Sequence, residues 1–463
     1  MKRVAIIGTG IAGLSCAHFL QRRCDLTLYE KNHYIGGHTN TVSVAEENRS
    51  VPIDTGFMVF NEVTYPNLVK LFRELGVATK PTKMSFSVQH LPTGLEFCGT
   101  SMNHIFGQRK NLFRPRFWKM ISQINRFNTE AIAALSPGAS AQNLRLPRPV
   151  GRGEGWGEGQ STNQTSTSSS PSKAREGESK FADMTLGDYV RARNYGDDFL
   201  NFYLVPMSSA VWSTPPELML EFPAIALLRF FHNHGFLGLH TQHPWFTVVN
   251  GAKSYVEKIT APFRDKINLS AAAASVRRES GRVKVTDISG RTETFDQVIF
   301  ASHADETLKL LGDADDQERA LLGEFKYQPN TALLHTDASV MPKTKLSWAS
   351  WNYRIDRRAD GTISPSTIYW MNSLQVVSER QNYFVSINGE NSVNPNTVLK
   401  RIQYEHPLFS LGAIRAQKNL PQLNERMTNV YFCGSYFRYG FHEDAFTSAL
   451  DLCRTLTGER LMS

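Results

Sequence analysis

Apolar and polar positions near the start of the chain follow the order strand, turn, helix, strand. An unbroken apolar run at residues 4–7 is typical of a strand buried on both faces of a sheet. It leads into a glycine-rich turn at residues 8–13, after which apolar positions recur at helical spacing. A second apolar run, residues 26–29, ends at Glu30. The pattern predicts a βαβ unit.

The turn of this unit has the composition of a dinucleotide site. Gly8 permits a tight turn, Gly10 lets a diphosphate approach the backbone, and Gly13 lets the helix pack closely on the sheet. The helix N-terminus favours a negatively charged group. Glu30 follows Gly8 by 22 residues, where a carboxylate accepts hydrogen bonds from both ribose hydroxyls of an adenosine.

Composition limits the remaining possibilities. The 463 residues are enough for two domains with their own cores, and 41% are hydrophobic. The most apolar stretch, residues 222–231, is interrupted by Pro223 and Arg229, so no membrane span is expected. The start of the chain reads as a core strand, so we expect no signal peptide. Five cysteines without a C-x-x-C pair indicate reduced thiols and a cytoplasmic protein.

Much of the net charge of +8 lies in residues 107–127, which contain six basic residues and no acidic one. Apolar residues recur there at helical spacing: Phe117, Met120, Ile121, Ile124 and Phe127. A basic amphipathic helix in peripheral contact with the inner face of a membrane is one interpretation. The more ordinary one is a surface helix with one face in the core. Nothing resembles a nucleic-acid-binding module.

Residues 136–183 have a different composition. Positions 151–180 consist almost entirely of glycine, serine, threonine and charged residues. Such a segment cannot bury enough apolar surface to offset the entropy of ordering it. We therefore predict a disordered insertion in a surface loop and assign it no catalytic role.

Further short motifs follow the βαβ unit. A paired glycine, Gly36–Gly37, comes soon after Glu30, and a D-x-G motif ends at Gly56. Residues 245–256 combine a strand, Asn250-Gly251 and a helix, and residues 295–302 form an apolar strand ending in Ala301-Ser302. Near the C-terminus, an apolar strand ends at Gly434 and residues 440–449 begin a helix.

These motifs resemble those of the flavin amine oxidase superfamily, which includes amine oxidases, protoporphyrinogen oxidases and carotenoid desaturases. The resemblance implies an α/β fold, with a Rossmann-like FAD-binding domain of the glutathione-reductase type and a discontinuous α+β substrate domain. It places the first domain at residues 1–78, 242–320 and 405–463. The second comprises residues 79–135, 184–241 and 321–404.

The resemblance implies FAD as the cofactor. The superfamily usually has arginine after the paired glycine, where this chain has His38. With the turn and Glu30, the implied cofactor-binding residues are Gly8, Gly10, Ile11, Ala12, Gly13, Glu30, Lys31, Gly37, His38, Thr39, Thr55, Gly56, Phe57, Ala273, Ala301, Gly434, Ser435, Phe441, His442 and Glu443.

Candidate substrate-side residues are His232, His234 and Trp370. The two histidines lack cysteine or carboxylate partners in their segment, so we expect no metal site. Trp370 belongs to predicted strands rich in aromatic residues (348–353 and 368–372), which line an apolar tunnel or simply pack in a sheet.

The chain most resembles a bacterial branch of predicted NAD/FAD-binding proteins connected with fatty-acyl modification. The resemblance implies hydride transfer from a C–H bond of a small apolar, lipid-like substrate to flavin N5, with oxygen or another electron acceptor. Two alternatives stay open: an amine oxidase, or a catalytically inactive flavin-binding partner protein. Amine oxidases often have a lysine where this chain has Thr331.

Overall fold

The computed structural model describes residues 1–135, 183–238, 241–358, 360–426 and 428–462. The predicted insertion, residues 136–183, lies outside the described residues except for Asp183. Within the described ranges, no helix combines the length and apolar character needed to cross a bilayer.

The strands of the described residues are numbered in chain order. They are β1 (Lys2–Ile7), β2 (Cys24–Tyr29), β3 (Thr41–Glu46), β4 (Arg49–Asp54), β5 (Phe60–Asn61), β6 (Thr79–Thr82), β7 (Phe86–His90), β8 (Leu95–Cys98), β9 (Trp245–Val248), β10 (Ile267–Asn268), β11 (Ala273–Glu279), β12 (Arg282–Asp287), β13 (Thr292–Phe295), β14 (Gln297–Phe300), β15 (Lys326–His335), β16 (Trp351–Arg357), β17 (Ile363–Trp370), β18 (Phe384–Ile387), β19 (Val398–Leu408) and β20 (Val430–Phe432).

The helices of the described residues vary from a single turn to 21 residues in length. The α-helices are Ile11–Leu20, Pro66–Glu74, Met102–Ile105, Pro115–Leu135, Leu186–Ala192, Asp197–Phe199, Val205–Trp212, Pro216–Met219, Ala224–Asn233, Lys253–Thr260, Ala304–Leu310, Asp316–Leu322, Met371–Leu374, Leu411–Gln417, Leu420–Glu425 and His442–Thr457. A π-helical segment, Leu200–Leu204, joins two of them.

A five-stranded parallel sheet brings the two ends of the chain together. Its strand order is β10-β2-β1-β14-β20, so the last strand lies two positions from the first. The apolar run predicted to be a buried strand is β1, in which Val4, Ala5 and Ile6 are almost completely inaccessible. Helix Ile11–Leu20 packs against helix His442–Thr457. The predicted βαβ unit and the return of the C-terminus to it are confirmed.

The remaining strands form antiparallel and mixed sheets. Strands β12 and β13 form a hairpin, and β11 adds to it. A seven-stranded sheet has the order β19-β15-β18-β17-β16-β7-β8, in which only the described pair β16 and β7 is parallel. Two predicted strand boundaries, at residues 348 and 372, differ in the structure. Strand β16 begins at Trp351 because a 3₁₀ turn, Lys345–Ser347, precedes Trp348. Strand β17 ends at Trp370 because a helical turn follows.

The basic segment forms helix Pro115–Leu135. Its periodic apolar residues face the protein interior: Phe117, Met120 and Phe127 are buried, and Ile121 and Ile124 pack against the same side. Of the two interpretations of this helix, its apolar stripe therefore fits the surface helix with one face in the core. These five residues are not available to a membrane.

Candidate FAD site and substrate pocket

A cavity of about 570 Å³ connects the glycine turn with the start of the last helix. Gly8 and Gly10 line it on one side, and Phe441 and His442 line it on another. Both segments follow the carboxyl ends of strands in the parallel sheet, β1 and β20. Ligands of open α/β sheets bind at this edge. The structure thus brings the N-terminal and C-terminal motifs to one cavity.

Each glycine of the turn has a different steric environment. Gly8 has a φ of 101°, and its N–H donates to Tyr29 O at 2.8 Å. A Cβ on Gly13 would lie 2.0 Å from Gly8 O, so the helix could not pack as closely. A Cβ on Gly10 would meet no heavy atom within 4 Å. The space in front of Gly10, beside the free N–H groups of a helix start, fits a diphosphate, and the residues present therefore fit FAD.

The paired glycine packs directly against this turn. Gly36 N–H donates to Thr9 O at 3.1 Å, and a Cβ on Gly37 would lie 3.3 Å from Gly10 Cα. The two glycine motifs therefore form one continuous backbone surface, as a cofactor held by backbone groups requires.

Glu30 is held in one orientation at the cavity wall. Its Oε2 accepts hydrogen bonds from Thr9 N at 3.0 Å and Thr9 Oγ1 at 2.5 Å, and its Oε1 accepts from Asn32 N at 2.8 Å. The side chain is almost fully buried yet lines the cavity. This fixed carboxylate is suited to the adenosine ribose, the role predicted for it.

His38, at the usual arginine position, belongs to a group of imidazoles along the cavity. Its ring stacks on Tyr404 with the centroids 4.8 Å apart and lies 5.3 Å from the ring of His406 and 6.3 Å from that of His303. Burial, together with the neighbouring imidazoles, holds the pKa of His38 well below its usual value. Near neutral pH, His38 is therefore a neutral hydrogen-bonding group and not the permanent cation that arginine supplies.

Charged side chains line the cavity near the imidazoles, but they are paired with one another. Lys31 Nζ lies 2.5 Å from Glu306 Oε1, and His303 Nδ1 lies 3.6 Å from Glu405 Oε2. Ligand atoms of His303, Glu306 and Glu405 lie within 4.8 Å of one another. Because Glu306 already has Lys31 as its ion-pair partner, we assign no metal ion to this group.

The D-x-G motif lies between His38 and the last helix. A Cβ on Gly56 would come within 2.2 Å of His38 O, which accepts the Phe57 N–H at 2.9 Å. Phe57 in turn stacks on His442, with centroids 3.9 Å apart. Only glycine fits at position 56. Because Gly56 and Phe57 both line the cavity, the motif forms part of its wall.

Asp54 joins this motif to the segment 245–256. Its two carboxylate oxygens accept the Ala252 N–H at 2.9 and 3.0 Å, and Gln375 Nε2 donates to Oδ2 at 2.5 Å. Burial raises the pKa of Asp54 to about 6. The aspartate does not line the cavity, so its role is to hold the strand end in place.

His442 is a neutral hydrogen-bonding residue at the start of the last helix. Its Nε2 lies 2.6 Å from Tyr255 Oη, and Tyr255 Oη lies 2.5 Å from Thr39 Oγ1. Burial lowers the pKa of His442 to about 3. Thr39 thus contacts Tyr255 behind the cavity wall and does not itself line the cavity.

The two acidic residues after His442 bind backbone groups. Glu443 accepts hydrogen bonds from Asn67 N at 3.0 Å and Leu68 N at 2.9 Å, which caps helix Pro66–Glu74. Asp444 accepts the Phe441 N–H at 2.9 Å, and burial raises its pKa to about 7. Neither lines the cavity, and the geometry gives no support for direct cofactor contact by Glu443.

Aromatic and apolar side chains make up another part of the cavity lining. We call this part the aromatic pocket. Its lining residues are Met58, Val59, Tyr65, Met84, Val211, Trp212, Phe230, His234, Phe236, Trp245, Trp351, Tyr369 and Phe441.

His234 is the histidine of the aromatic pocket. Its Nδ1 donates to Phe230 O at 3.0 Å, and its ring stacks on that of Phe230 with centroids 3.8 Å apart. Burial lowers the pKa of His234 to about 4. With Nδ1 carrying the proton, the neutral ring has Nε2 available as a hydrogen-bond acceptor.

His232 and Trp370 lie outside the cavity. His232 is exposed because residues two apart on a helix point in different directions, so it does not share the environment of His234. Trp370 Nε1 donates to Asn382 Oδ1 at 2.9 Å, and the ring packs against Trp348 in a separate cluster. Their positions give no support for the predicted substrate-side roles.

Most of the predicted cofactor residues share the cavity. Those that line it are Gly8, Gly10, Ile11, Ala12, Glu30, Lys31, Gly37, His38, Gly56, Phe57, Ala273, Ala301, Gly434, Ser435, Phe441 and His442. Gly13, Thr39, Thr55 and Glu443 support it from behind.

Several lining residues were not predicted. Phe230 is one of them; it lies four residues before the predicted His234, which directly follows the end of the same helix, and this spacing places both side chains on one face. Tyr404 and His406 are two apart on β19, which also places them on one face. The spacings were present in the sequence, but nothing in it indicated that these faces met the glycine turn.

Comparison with known proteins gives consistent results. The family model for flavin containing amine oxidoreductase matches residues 11–358. A candidate protoporphyrinogen oxidase from Exiguobacterium sp. 255-15 superposes with a TM-score of 0.64 at 15% identity, covering 99% of both chains. No curated protein sequence matches the chain with significance.

Two further solved structures have the same fold. Cyclohexylamine oxidase from Brevibacterium oxydans IH-35A has a TM-score of 0.61 at 13% identity and covers 98% of this chain and 99% of its own. The CLA-producing fatty acid isomerase from P. acnes has a TM-score of 0.63 at 13% identity, with 98% of each chain covered. With the family match over most of its length, this chain belongs to the flavin containing amine oxidoreductase family, and it is an FAD-dependent oxidoreductase.

Proposed function

We propose that this enzyme oxidises or desaturates an apolar, fatty-acyl substrate held in the aromatic pocket. The observation that carries the proposal is the chemistry of that pocket. None of its described lining residues is Asp, Glu, Lys or Arg, and the pKa of His234, lowered by burial, leaves that ring neutral. A pocket of this kind gains free energy by removing a hydrocarbon chain from water.

When bound, FAD supplies the acceptor for a hydride from a substrate C–H bond. The residues of the chain bind and orient the substrate. Trp212, Phe230 and Phe441 lie within 6.0 Å of one another by ring centroids and exclude water from the pocket. His234 Nε2 offers one hydrogen-bond acceptor to a polar end of the substrate, such as a protonated carboxyl or a hydroxyl group.

Two observations favour acyl over amine substrates. The superfamily resemblance is to a branch connected with fatty-acyl modification, and one protein of the same fold is a fatty acid isomerase. Thr331 replaces the lysine that amine oxidases often have, and it lies outside the cavity with its N–H bonded to Asn388.

Amine oxidation is the second candidate because aromatic rings also bind cations. A cyclohexylamine oxidase shares the fold. The same preparation of the protein can be used to test both substrate classes. Anaerobic protein with bound FAD is mixed with fatty acids or acyl esters of several chain lengths and, separately, with primary and secondary amines, while the flavin absorbance is followed.

Bleaching of the yellow colour by an acyl compound is the expected result. Bleaching by amines alone would overturn the proposal in favour of amine oxidation. Flavin that only dithionite reduces, after a broad panel of both classes, would identify a flavin-binding partner protein.

Two tryptophans provide a matched pair for this experiment. Trp351 lines the aromatic pocket, whereas Trp370 does not. We expect Trp351→Leu to raise KM about tenfold or more, because it removes part of the apolar wall, and Trp370→Leu to leave KM unchanged. Equal effects of both changes on KM would show that the pocket does not bind the substrate.

A further inference from the structure

An exposed apolar patch lies at the start of the basic segment, separate from the cavity. Phe113 is 85% exposed, Met102 54%, Trp118 45% and Leu112 41%. Large apolar side chains that are scattered singly on a surface are common. Three of these four fall within seven consecutive residues, which makes them a cluster and not scattered cases.

The patch is held in place by two polar contacts, one of which is buried. Leu112 and Phe113 end a 3₁₀ turn, Arg109–Phe113, and the indole N–H of Trp118 donates to Leu112 O at 2.9 Å. Asn111, which directly precedes Leu112, is fully buried, and its Nδ2 donates to Glu96 O at 3.3 Å. Because a buried asparagine anchors the turn, the exposure of its apolar neighbours is a fixed feature of the fold.

The segment that carries the patch is positively charged and contains no acidic residue. Residues 97–129 contain no Asp or Glu. In the part of the chain that the structure describes, Arg116 pairs with Asp198, whereas Arg109, Lys110, Arg114 and Lys119 form no ion pair. Exposed aromatic and aliphatic side chains that alternate in sequence with lysine and arginine match the chemistry of an anionic bilayer surface.

We propose that this patch docks the protein on an anionic lipid bilayer. The periodic apolar residues of helix Pro115–Leu135 are in the core, so the contact is made by the turn before the helix and by its first turn. The aromatic side chains enter the interface between headgroups and acyl chains, and the cations contact the phosphates. The inference does not depend on the substrate class.

The test is flotation of the full-length protein, with FAD bound, on vesicles. The vesicles are phosphatidylcholine alone or phosphatidylcholine with about a third phosphatidylglycerol. We expect recovery with the anionic vesicles only, a reduction of at least fivefold for Phe113→Ser, and a similar reduction for the pair Lys110→Glu and Lys119→Glu. Raising the salt to about 0.5 M is expected to weaken binding, because the charges are exposed.

Two controls separate the patch from general surface effects. Ile288→Ser removes another exposed apolar residue (65%) elsewhere, and Lys418→Glu reverses a charge elsewhere. Both are expected to bind as the unchanged protein does. Flavin absorbance and melting temperature verify that each variant is folded.

Three outcomes would overturn the proposal. These are the absence of binding to anionic vesicles, equal binding to neutral vesicles, and full binding by Phe113→Ser and by the charge-reversed protein. Absence of binding would leave an acidic protein partner as the alternative occupant of the patch.

Discussion

Gly10 and Gly13 are three residues apart, and their surroundings in the folded protein differ. Gly13 needs to be glycine because the backbone of Gly8 lies where a Cβ would be. Gly10 has an ordinary φ of −64° and open space beside it, so the protein itself does not require glycine there. The requirement at Gly10 comes from what binds in front of it.

We therefore predict that Gly10→Ala leaves the stability of the FAD-free protein unchanged and weakens FAD binding about 100-fold or more, corresponding to about 2.7 kcal/mol. Gly13→Ala is the matched variant, and we expect it to destabilise the FAD-free protein. Fluorescence titration with FAD and thermal unfolding of both FAD-free variants provide the measurements. Unchanged FAD affinity in Gly10→Ala would show that the diphosphate does not lie at this turn.

His335 provides a second prediction at the residue scale, on the pH dependence of stability. It is fully buried in β15, its Nδ1 accepts the Asp337 N–H at 3.1 Å, and its Nε2 lies 2.7 Å from Ser386 Oγ. Burial lowers the pKa of His335 from 6.5 to about 4. The folded protein thus binds this proton less readily than the unfolded chain, so the free energy of unfolding falls as the pH decreases from about 6.5 towards 4.

The difference between those pKa values corresponds to roughly 3 kcal/mol, since one pKa unit is about 1.4 kcal/mol. We expect His335→Asn, whose Oδ1 can still accept the Asp337 N–H, to lose part of this acid sensitivity. Chemical unfolding between pH 4 and 8 measures the difference. The exposed His232→Asn is the control, and an equal change in its pH profile would contradict the assignment.

Among elements, the contact between the last helix and helix Pro66–Glu74 depends on Glu443. Both of its oxygens accept backbone N–H groups at the start of the shorter helix, where a negative charge is also favourable. In Glu443→Gln, one of the two acceptors becomes an NH₂ group and leaves a buried N–H without a partner. We predict a loss of about 1–3 kcal/mol in the free energy of unfolding.

FAD affinity should stay within about twofold of the unchanged protein in this variant, because Glu443 does not line the cavity. Urea unfolding and FAD titration measure the two effects separately. Glu459→Gln, an exposed residue near the end of the same helix, is the control. A large loss of FAD affinity without loss of stability would instead support the cofactor role that the sequence suggests for Glu443.

The elements that could be predicted from sequence are those with a local signature. Strand β1, its glycine turn and β2 carry apolar runs and glycines whose spacing has a direct steric reason. By contrast, the parallel pairing of β16 with β7 joins Trp351 to Phe86, and nothing near either residue specifies it. The position of Trp370 depends on that sheet, so an aromatic-rich strand alone does not determine whether this ring reaches the cavity.

At the scale of the whole molecule, segments remote in sequence meet at one cavity. Gly10, Gly56, Phe230, Tyr404 and Phe441 all line it, although they come from the beginning, the middle and the end of the chain. The two ends could be predicted to meet because both carry glycine motifs that resemble the FAD-binding motifs of one superfamily. Tyr404 carries no such motif, and its position follows from the register of β19 against β15.

This arrangement predicts how FAD changes the dynamics of the chain. A ligand that contacts both ends protects them together, and at 100 times its Kd it stabilises the folded state by about 2.7 kcal/mol. We expect hydrogen exchange to slow on FAD addition at residues 8–13 and 440–445 in parallel, with the same dependence on FAD concentration. The exposed turn at residues 376–380, outside the cavity, is the internal control and should not change. Protection confined to one end would mean that the two glycine motifs do not hold a single cofactor molecule.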